Sequence, residues 1–186
     1  MTTTKIVDTT VISANLNEIR CNFLNKCSQE YTVVTSSDVY TELKNFFEDD
    51  ELEEGYSFIS IKYPTETQSY EMLMEYLGDR YPYLHKGELS SFLLAILEYE
   101  LKDRRYYYIT DDNKVKKIIL KIHEDELFMN KVGTKLSKIN VTGTLGLIKQ
   151  LYHKGILSNK ELKDIISDLK NSTFFISPYL IDYLGG

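Results

Sequence analysis

Short apolar runs alternate along the chain with segments whose apolar residues recur at helical spacing. The runs are rich in β-branched and aromatic residues and predict strands at Lys5–Val7, Thr32–Thr35, Ser57–Tyr63, Tyr106–Thr110 and Lys138–Val141. Because these strands alternate with helices, the pattern predicts an α/β fold, a three-layer α/β/α sandwich with a mainly parallel central sheet.

Capping residues mark where the intervening helices begin and end. Ser36, Ser37 and Asp38 precede one helix, Ser158 caps another, and Gly155 stops a third. The predicted helices are Leu16–Cys27, Val39–Phe47, Thr67–Leu77, one opening at Gly87–Glu88, Val115–Ile122, one from Gly143 or Thr144 to Tyr152, one through Leu169, and one from Pro178 after an extended piece at Phe174–Ile176.

Two segments between the predicted elements lack clear periodicity. Glu48–Glu54 is a run of acidic residues that we interpret as a solvated loop, although a site for a metal or a basic partner would have the same composition. Gly78–Lys86 contains Pro82 and is predicted to be a loop. Without repeats or flexible linkers, residues 1–186 are predicted to form a single domain with an enlarged middle region at about 48–86.

The composition is that of an ordinary soluble globular protein, with 42% hydrophobic and 27% charged residues. The longest apolar run, Phe92–Leu97, is too short to span a bilayer, and the N-terminus shows no signal peptide. Cys21 and Cys27 match no disulfide or zinc pattern, so reduced cysteines in a cytoplasmic protein are expected. The net charge of −6 disfavours nucleic acid, but a carboxylate cluster would contribute to that charge and a bound cation would offset part of it.

Several acidic residues lie where predicted strands and helices meet. They are Asp8 after the first strand, Asp111 and Asp112 after the Tyr106–Thr110 strand, and Glu42 and Glu88 early in two helices. Since the carboxyl ends of parallel strands meet at one edge of a sheet, these carboxylates can converge there. Converging carboxylates repel one another, and Mg²⁺ or Mn²⁺, which prefer oxygen ligands, would relieve that repulsion. Such an ion activates water and stabilises charge on a phosphoryl group, which is the chemistry of phosphodiester hydrolysis.

Each of these carboxylates also has an ordinary structural explanation. The chain has 28 acidic residues, so some fall at strand ends by chance. Asp after a strand is common in turns, and Glu in a first helical turn is favoured by the helix dipole. The positions alone therefore leave both interpretations open.

Short motifs surround these acids in a recognisable order. They are the strand with Asp-Thr-Thr at Ile6–Ile12, the Glu-Leu pair in Val39–Leu43, the Gly-Glu helix start at Gly87–Ser91, and the acids of Ile109–Val115. A Gly-Thr-Leu-Gly segment follows in Thr142–Ile148, with Lys154–Leu157 and Phe175–Pro178 after it. From about residue 4 to 184, this order resembles the PIN-domain family, and in particular a branch with a C-terminal Gly-Thr-Leu-Gly helix.

The resemblance implies a set of site residues. The catalytic acids would be Asp8, Glu42, Glu88 and Asp112. Asp8, Glu88 and Asp112 would bind Mg²⁺ or Mn²⁺, with Asp111 as an accessory or alternative ligand. Thr9 and Thr110 would orient carboxylates, although threonines are also common strand and capping residues.

A row of lysines and two glycines lie close to these motifs. Lys114, Lys117 and Lys121 are spaced to share one face of a helix that begins next to Asp112. That face could hold an RNA backbone or be an ordinary solvated face. Gly143 and Gly146 match no phosphate-binding fingerprint and are predicted to permit close helix packing.

The resemblance also implies an activity. It points to a metal-dependent endoribonuclease, a hydrolase of RNA phosphodiester bonds, similar to the toxin subunits of VapBC-type toxin–antitoxin modules. Members of that family often form homodimers and are silenced by a small antitoxin-like partner, so both are expectations here. No membrane partner is expected.

Two other functions stay open. A phosphatase of the haloacid-dehalogenase type also places Asp after its first strand, but it needs a second Asp two positions later, where this chain has Thr10. A catalytically inactive PIN-like module that binds nucleic acid or protein would keep the fold with a degraded site, whereas all four expected acids are present here.

Overall fold

A parallel sheet lies at the centre of the computed structural model, which describes residues 3–63, 68–137, 139–172 and 178–185. Its strands are β1 Thr4–Val7, β2 Thr32–Ser36, β3 Ser60–Lys62, β4 Tyr106–Ile109 and β5 Val141–Thr142. Within the described ranges the sheet has five strands in the order β3-β2-β1-β4-β5, and every neighbouring pair is parallel. The predicted fold class is confirmed, and β1 is the central strand.

Helices connect the strands and cover both faces of the sheet. They are α1 Thr9–Ser13 with a π-helical turn at Ala14–Glu18, α2 Phe23–Ser28, α3 Ser37–Leu43, α4 Asp49–Tyr56, α5 Gln68–Arg80, α6 Lys86–Leu94 with a π-helical turn at Ala95–Glu100, α7 Asn113–Lys121 followed by a 3₁₀ turn at Ile122–Glu124, α8 Glu126–Val132, α9 Thr144–His153, α10 Asn159–Asn171 and α11 Pro178–Gly185. The predicted caps are confirmed, because the side chains of Ser36 and Ser158 accept hydrogen bonds from the first turns of α3 and α10, and Gly155 follows α9 with a φ of 74°. Among the described residues, no helix combines the length and apolarity needed to cross a membrane.

Successive residues of each strand point to opposite faces of the sheet and divide the core in two. Val7, Val33 and Ile109 face helices α1 to α4 and α9 to α11, whereas Ile6, Val34 and Tyr108 face α5 to α8. Both faces are buried, as expected for a parallel sheet. A site built from several polar side chains is therefore expected at the edge where the strands end.

The predicted helix Leu16–Cys27 is interrupted in the structure. Ile19 is extended, with a φ of −123°, and α2 begins only at Phe23. Buried Asn15 explains the break, because its Oδ1 accepts a hydrogen bond of 3.0 Å from Leu24 N and its Nδ2 donates one of 3.0 Å to Asn22 Oδ1. These side-chain bonds hold the backbone in a turn where the apolar spacing predicts a continuous helix.

The acidic run Glu48–Glu54 was wrongly predicted to be a loop. Most of it lies in α4, which begins with a capping box between Glu48 and Glu51. Leu52 and Tyr56 lie one turn apart and are 1% and 6% exposed, so the helix packs through this pair while its acids face solvent.

Smaller differences concern boundaries. The segment Gly78–Arg80 continues α5, so the predicted loop begins later, and α3 ends at Leu43 rather than Phe47. β5 covers only the end of the predicted Lys138–Val141 strand, and Lys138 itself lies outside the described residues, as does the predicted piece Phe174–Ile176. The enlargement of the region at about 48–86 stays a prediction.

Candidate active site

The predicted acids lie at the carboxyl edge of the sheet. Asp8 follows β1, Asp111 and Asp112 follow β4, Glu42 lies on α3, and Glu88 lies in the first turn of α6. Asp8 and Glu88 are buried, with exposed fractions of 0% and 7%, and the other three are half-buried.

The carboxylate of Asp8 is satisfied on one oxygen and unsatisfied on the other. Its Oδ1 accepts hydrogen bonds from Thr10 N at 3.0 Å, Thr10 Oγ1 at 2.6 Å and Val11 N at 3.3 Å, which cap α1. Its Oδ2 is buried and has no hydrogen-bond partner in the part of the chain that the structure describes. Burying a carboxylate oxygen without a partner is unfavourable in free energy. A cation or a hydrogen-bond donor bound to Oδ2 would remove that cost.

Burial raises the pKa of Asp8 to about 7. The hydrogen bonds from the Thr10 hydroxyl and from Val11 N lower that pKa, as does the neighbouring hydroxyl of Thr110, and the nearby Asp111 carboxylate raises it. The acid therefore exchanges its proton near neutral pH, and a bound cation would favour the ionised form.

Thr10 links the ends of β1 and β4. Its hydroxyl donates to Asp8 Oδ1 and accepts a hydrogen bond of 3.0 Å from Asp111 N. The sequence pattern gives Thr10 no such role, because Asp8 and Asp111 follow two different strands. The same hydroxyl is also incompatible with the phosphatase alternative, which needs Asp at this position.

Asp111 caps a helix from a distant segment. Its Oδ1 accepts a hydrogen bond of 2.9 Å from Thr144 N and its Oδ2 accepts one from Thr144 Oγ1. The N-cap position of α9 is Gly143, which has no side chain, so Asp111 supplies the missing acceptor and its charge favours the helix N-terminus. Both Asp111 oxygens are thus engaged.

The glycines of the Gly-Thr-Leu-Gly segment permit close approaches, as predicted, although their neighbours are a loop and a strand. A Cβ on Gly143 would lie 2.5 Å from Asp111 Oδ1 and 2.9 Å from Lys116 Nζ. A Cβ on Gly146 would lie 2.0 Å from Thr142 Oγ1, at the end of β5. Lys116 was not among the predicted lysines, yet its ammonium group lies beside Asp111 and offsets part of the negative charge.

Glu42 is held between α1 and α6. Thr9 Oγ1 donates a hydrogen bond of 2.8 Å to Glu42 Oε2, and a Cβ on Gly87 would lie only 2.2 Å from that same oxygen. Gly87 therefore lets the carboxylate of α3 reach the first turn of α6, next to Glu88.

Glu88 and Asp112 each use one carboxylate oxygen to cap their own helix. Glu88 Oε2 accepts from His85 N at 2.8 Å, and Asp112 Oδ1 accepts from Lys114 N at 2.5 Å and from Val115 N at 3.1 Å. Burial raises the pKa of Glu88, the His85 bond lowers it, and the carboxylates of Asp112 and Glu42 raise it further. Thr110 Oγ1 accepts a hydrogen bond of 3.2 Å from Asp112 N.

The buried phenol of Tyr108 is influenced by three of the acids. Burial raises its pKa well above the usual range, and the carboxylates of Asp8, Glu88 and Asp112 raise it further. The hydroxyl shares a hydrogen bond of 2.8 Å with Ser91 Oγ. Tyr108 is thus a buried group within electrostatic range of three of the four predicted acids, which its strand pattern alone does not reveal.

The site fits a hard divalent cation in its chemistry but is not preformed as a multi-ligand cage. Within the described ranges, no three His, Cys, Asp or Glu side chains are grouped so that they could hold a metal ion. The oxygen donors and the unpartnered Asp8 Oδ2 suit Mg²⁺ or Mn²⁺, and Mg²⁺ usually binds through one or two carboxylates while keeping several waters. Binding by more ligands would require Glu88 or Asp112 to change rotamer.

The predicted lysines lie beside this edge. Lys114, Lys117 and Lys121 are exposed on α7, whose N-cap is Asp112. They line a groove with Tyr81 and Tyr83, residues that sequence analysis did not single out.

Comparison with known families agrees with this architecture, a parallel α/β fold of the nuclease type. A family model described as a PIN domain (DUF3368) matches residues 4–184. The chain belongs to the PIN-domain family, as its motif order predicts. Searches among curated proteins and among solved structures gave no significant match.

Proposed function

We propose that this protein is a metal-dependent endoribonuclease that hydrolyses phosphodiester bonds of RNA. The observation that carries the proposal is the buried Asp8 Oδ2, which lacks a partner among the described residues and lies at the carboxyl edge of the sheet, where the other acids also lie. An unpartnered buried oxygen destabilises the fold if it has only a structural role. In a metal-dependent nuclease, the same oxygen would bind the cation.

The proposed ligands are oxygen atoms of this edge. Asp8, Glu88 and Asp112 would hold Mg²⁺ or Mn²⁺, with Asp111 as an accessory, and Glu42 completes the acidic set. When bound, the ion would supply a water of lowered pKa and positive charge for the phosphate. The high pKa of Asp8 implies that binding would release a proton at neutral pH.

The other residues position these acids. Thr10 and Val11 N hold Asp8 Oδ1, and this leaves Oδ2 directed away from the helix cap. Thr9 fixes Glu42, and Thr110 holds the backbone of Asp112. Lys116, beside Asp111, is placed to limit the repulsion between the acids and an approaching phosphate.

Calorimetric titration of the metal-free protein with Mn²⁺ tests the cation site. The parent is expected to bind with proton release, and the Asp8→Asn, Asp112→Asn variant is expected to lose binding. A matched control is the Asp49→Asn, Asp50→Asn variant, which removes the same charge from the exposed face of α4 and also tests the acidic run as a metal site. Loss of binding in the control but not in the Asp8 variant would contradict the proposed site.

Cleavage of a labelled RNA in Mn²⁺ tests the activity itself. Asp8→Asn is expected to reduce the rate by at least about a hundredfold, as when a group that stabilises transition-state charge is removed. Cleavage that survives in this variant would exclude Asp8 from the reaction.

One observation favours the alternative of an inactive module that binds nucleic acid or protein. Glu88 and Asp112 act as helix caps, and no three acids in the described structure are grouped for a metal. RNA binding that is unaffected by Mn²⁺ and by Asp8→Asn, without any cleavage, is the result that this alternative predicts.

The resemblance to toxin subunits extends the proposal to a toxin of a toxin–antitoxin pair, located in the cytoplasm. An antitoxin-like partner and a homodimer remain predictions. Induced expression in a bacterial host is expected to stop growth, and Asp8→Asn is expected to relieve the arrest. Equal toxicity of the two chains would argue against a toxin that acts by cleavage.

A further inference from the structure

A groove beside the acids combines aromatic rings with lysines. It has a volume of about 670 Å³ and is lined by Tyr81, Tyr83, Lys114, Lys117, Ile118 and Lys121. Its floor is apolar, because Ile118 is only 8% exposed, and its rim carries the three ammonium groups.

The charge of the groove is opposite to that of the molecule. The groove lining contains three lysines and no acid, whereas the chain as a whole has a net charge of −6. From Lys114 to Lys121 the lysines follow one stripe of α7 over about 10 Å. A local row of cations on an acidic protein indicates an extended anionic ligand.

One end of the groove lies next to a proposed catalytic acid, Asp112. Lys114 directly follows the first residue of α7, and its backbone N–H donates to Asp112 Oδ1. A strand whose phosphate lies at the acids therefore meets Lys114 first and then Lys117 and Lys121 as it leaves.

The two tyrosines offer a surface for a planar group. Their rings meet edge to face, with centroids 6.3 Å apart and planes at 73°, so Tyr81 supports the orientation of Tyr83. Tyr83 is 53% exposed, and Lys114 Nζ lies 5.8 Å from its ring centroid. Exposed aromatic rings beside a row of cations are the pattern on which bases of single-stranded nucleic acids stack.

We infer that this groove is a subsite for single-stranded RNA, in which a base next to the cleaved bond stacks on Tyr83 while Lys114, Lys117 and Lys121 contact the phosphates that follow. The inference rests on the proposed function, because it concerns the strand that the acids would cleave. It specifies an unpaired substrate, since the bases of a duplex are already stacked and cannot reach a tyrosine ring.

Fluorescence anisotropy with a labelled oligouridylate tests the subsite. The full chain with Asp8→Asn is used as the background, so that binding is measured without cleavage. Tyr83→Ala is expected to weaken binding about tenfold, because stacking on one aromatic side chain is lost, and Tyr83→Phe is expected to bind like its parent. Tyr179→Ala, which removes another exposed tyrosine, is the matched control.

The lysines are tested by salt dependence. Lys117→Ala with Lys121→Ala is expected to lower the slope of log affinity against log salt by about 1.4, the value for two lost contacts to a single strand. Lys163→Ala with Lys170→Ala, two exposed lysines of α10, is expected to leave the slope unchanged.

Two further binding measurements separate the contribution of the bases from that of the phosphate backbone. With an abasic oligonucleotide, Tyr83→Ala is expected to have no effect, and duplex RNA is expected to be insensitive to the change. Unchanged affinity of Tyr83→Ala for oligouridylate, an equal loss with the duplex, or no binding by any of the chains would overturn the inference.

Cleavage by the chain with Asp8 intact, measured in parallel, distinguishes this inference from the proposed function. Binding that depends on Tyr83 without any cleavage would leave the subsite in place and refute the nuclease. Cleavage that depends on Asp8 but has the same KM in Tyr83→Ala would support the nuclease and refute the subsite.

Discussion

Strand β1 carries two fully buried ionisable side chains, Lys5 near its start and Asp8 directly after its end, and their surroundings differ. Lys5 is 0% exposed and donates a hydrogen bond of 2.6 Å to Gln150 Oε1. Its ammonium group also lies 4.3 Å and 4.2 Å from the ring centroids of Tyr31 and Tyr107. The hydrogen bond and the two rings offset part of the cost of burying the Lys5 charge.

Asp8 is equally buried, but its enclosure is incomplete. Three donors bind Oδ1, whereas Oδ2 accepts no hydrogen bond from the described residues. The comparison separates two uses of a buried charge. The lysine is a structural element surrounded by partners, whereas one oxygen of the carboxylate has no partner among the described residues and is the atom that we propose binds a cation.

The largest expected effect is the response of stability to pH at Asp8. The pKa of Asp8 is raised from 3.8 to about 7 in the folded protein, so between these values the folded chain holds a proton that the unfolded chain has lost. The free energy of unfolding is therefore expected to fall as pH rises through this window, by up to about 4 kcal/mol. Urea unfolding in EDTA from pH 4 to pH 8 measures this effect as the difference between the parent and Asp8→Asn.

Mn²⁺ sharpens that test. Since a cation favours the ionised carboxylate, it is expected to restore most of the lost stability at pH 8 and little at pH 4. A difference between parent and Asp8→Asn that does not depend on pH would show that Asp8 ionises as readily as in an unfolded chain.

Lys5 is expected to give an effect of opposite sign in a higher window. Burial lowers its pKa from 10.5 to about 8, which the thiol of Cys27 opposes and Lys154 reinforces. Between these values the unfolded chain holds the extra proton, so stability is expected to rise with pH by at most about 3 kcal/mol. The free energy of unfolding is measured for the parent and for Lys5→Met from pH 7.5 to pH 10.5. The difference between them removes the effect of tyrosine ionisation, which both chains share. A difference that falls with pH would contradict the assigned direction.

Gln150→Leu removes one of the groups that contact the Lys5 ammonium. It removes the hydrogen bond to the ammonium group, and we expect a loss of about 2 kcal/mol in the free energy of unfolding at neutral pH. The double variant Lys5→Met, Gln150→Leu removes the charge together with its acceptor and is expected to recover much of that loss. If the single variant is as stable as the parent, the hydrogen bond contributes nothing and the two rings suffice.

The smallest effect is expected from Thr144→Val. This variant removes the hydroxyl that donates to Asp111 Oδ2 and leaves that oxygen without this donor, as Asp8 Oδ2 is without one. The loss is expected to be about 1 kcal/mol, because Asp111 is only half-buried and water can replace the hydroxyl. Thermal unfolding of Thr144→Val beside Thr144→Ser, which keeps the hydroxyl, measures it. Because Val keeps the methyl group and lacks only the hydroxyl, a Thr144→Val variant as stable as the parent would show that the bond to Asp111 contributes nothing.

Local signals predicted the fold well where they agreed with the tertiary structure. The central strands and the caps at Ser36 and Ser158 depend on residues next to each other in sequence, and they were found. The helix predicted over Leu16–Cys27 failed because the bond from buried Asn15 to Leu24 N is a tertiary preference that apolar spacing does not encode. In α4, the contacts of Leu52 and Tyr56 with the core outweigh the acidic composition that indicated a loop.

The acids of the candidate site could be named from sequence because strand ends and helix starts are visible there. Their partners could not. Thr10 and Thr144 acquire their roles only when the ends of β1, β4 and β5 come together. The relation of Tyr108 to the site is visible only from the effect of the acids on its phenol. Motif order can point to the carboxylates, but the hydroxyls that fix them depend on three-dimensional contacts.

The position of Thr144 late in the chain has a consequence for biosynthesis. A ribosome-bound chain that has not yet exposed Thr144 already contains Asp8 and Glu42, but Asp111 still lacks the helix that fixes it. Because domains generally fold as units once their sequence has emerged, the carboxyl edge is completed only after Thr144 and its helix have left the ribosome. For a protein proposed to cut RNA, this order of assembly would keep the nascent chain inert while it is closest to the message and the ribosome that produce it.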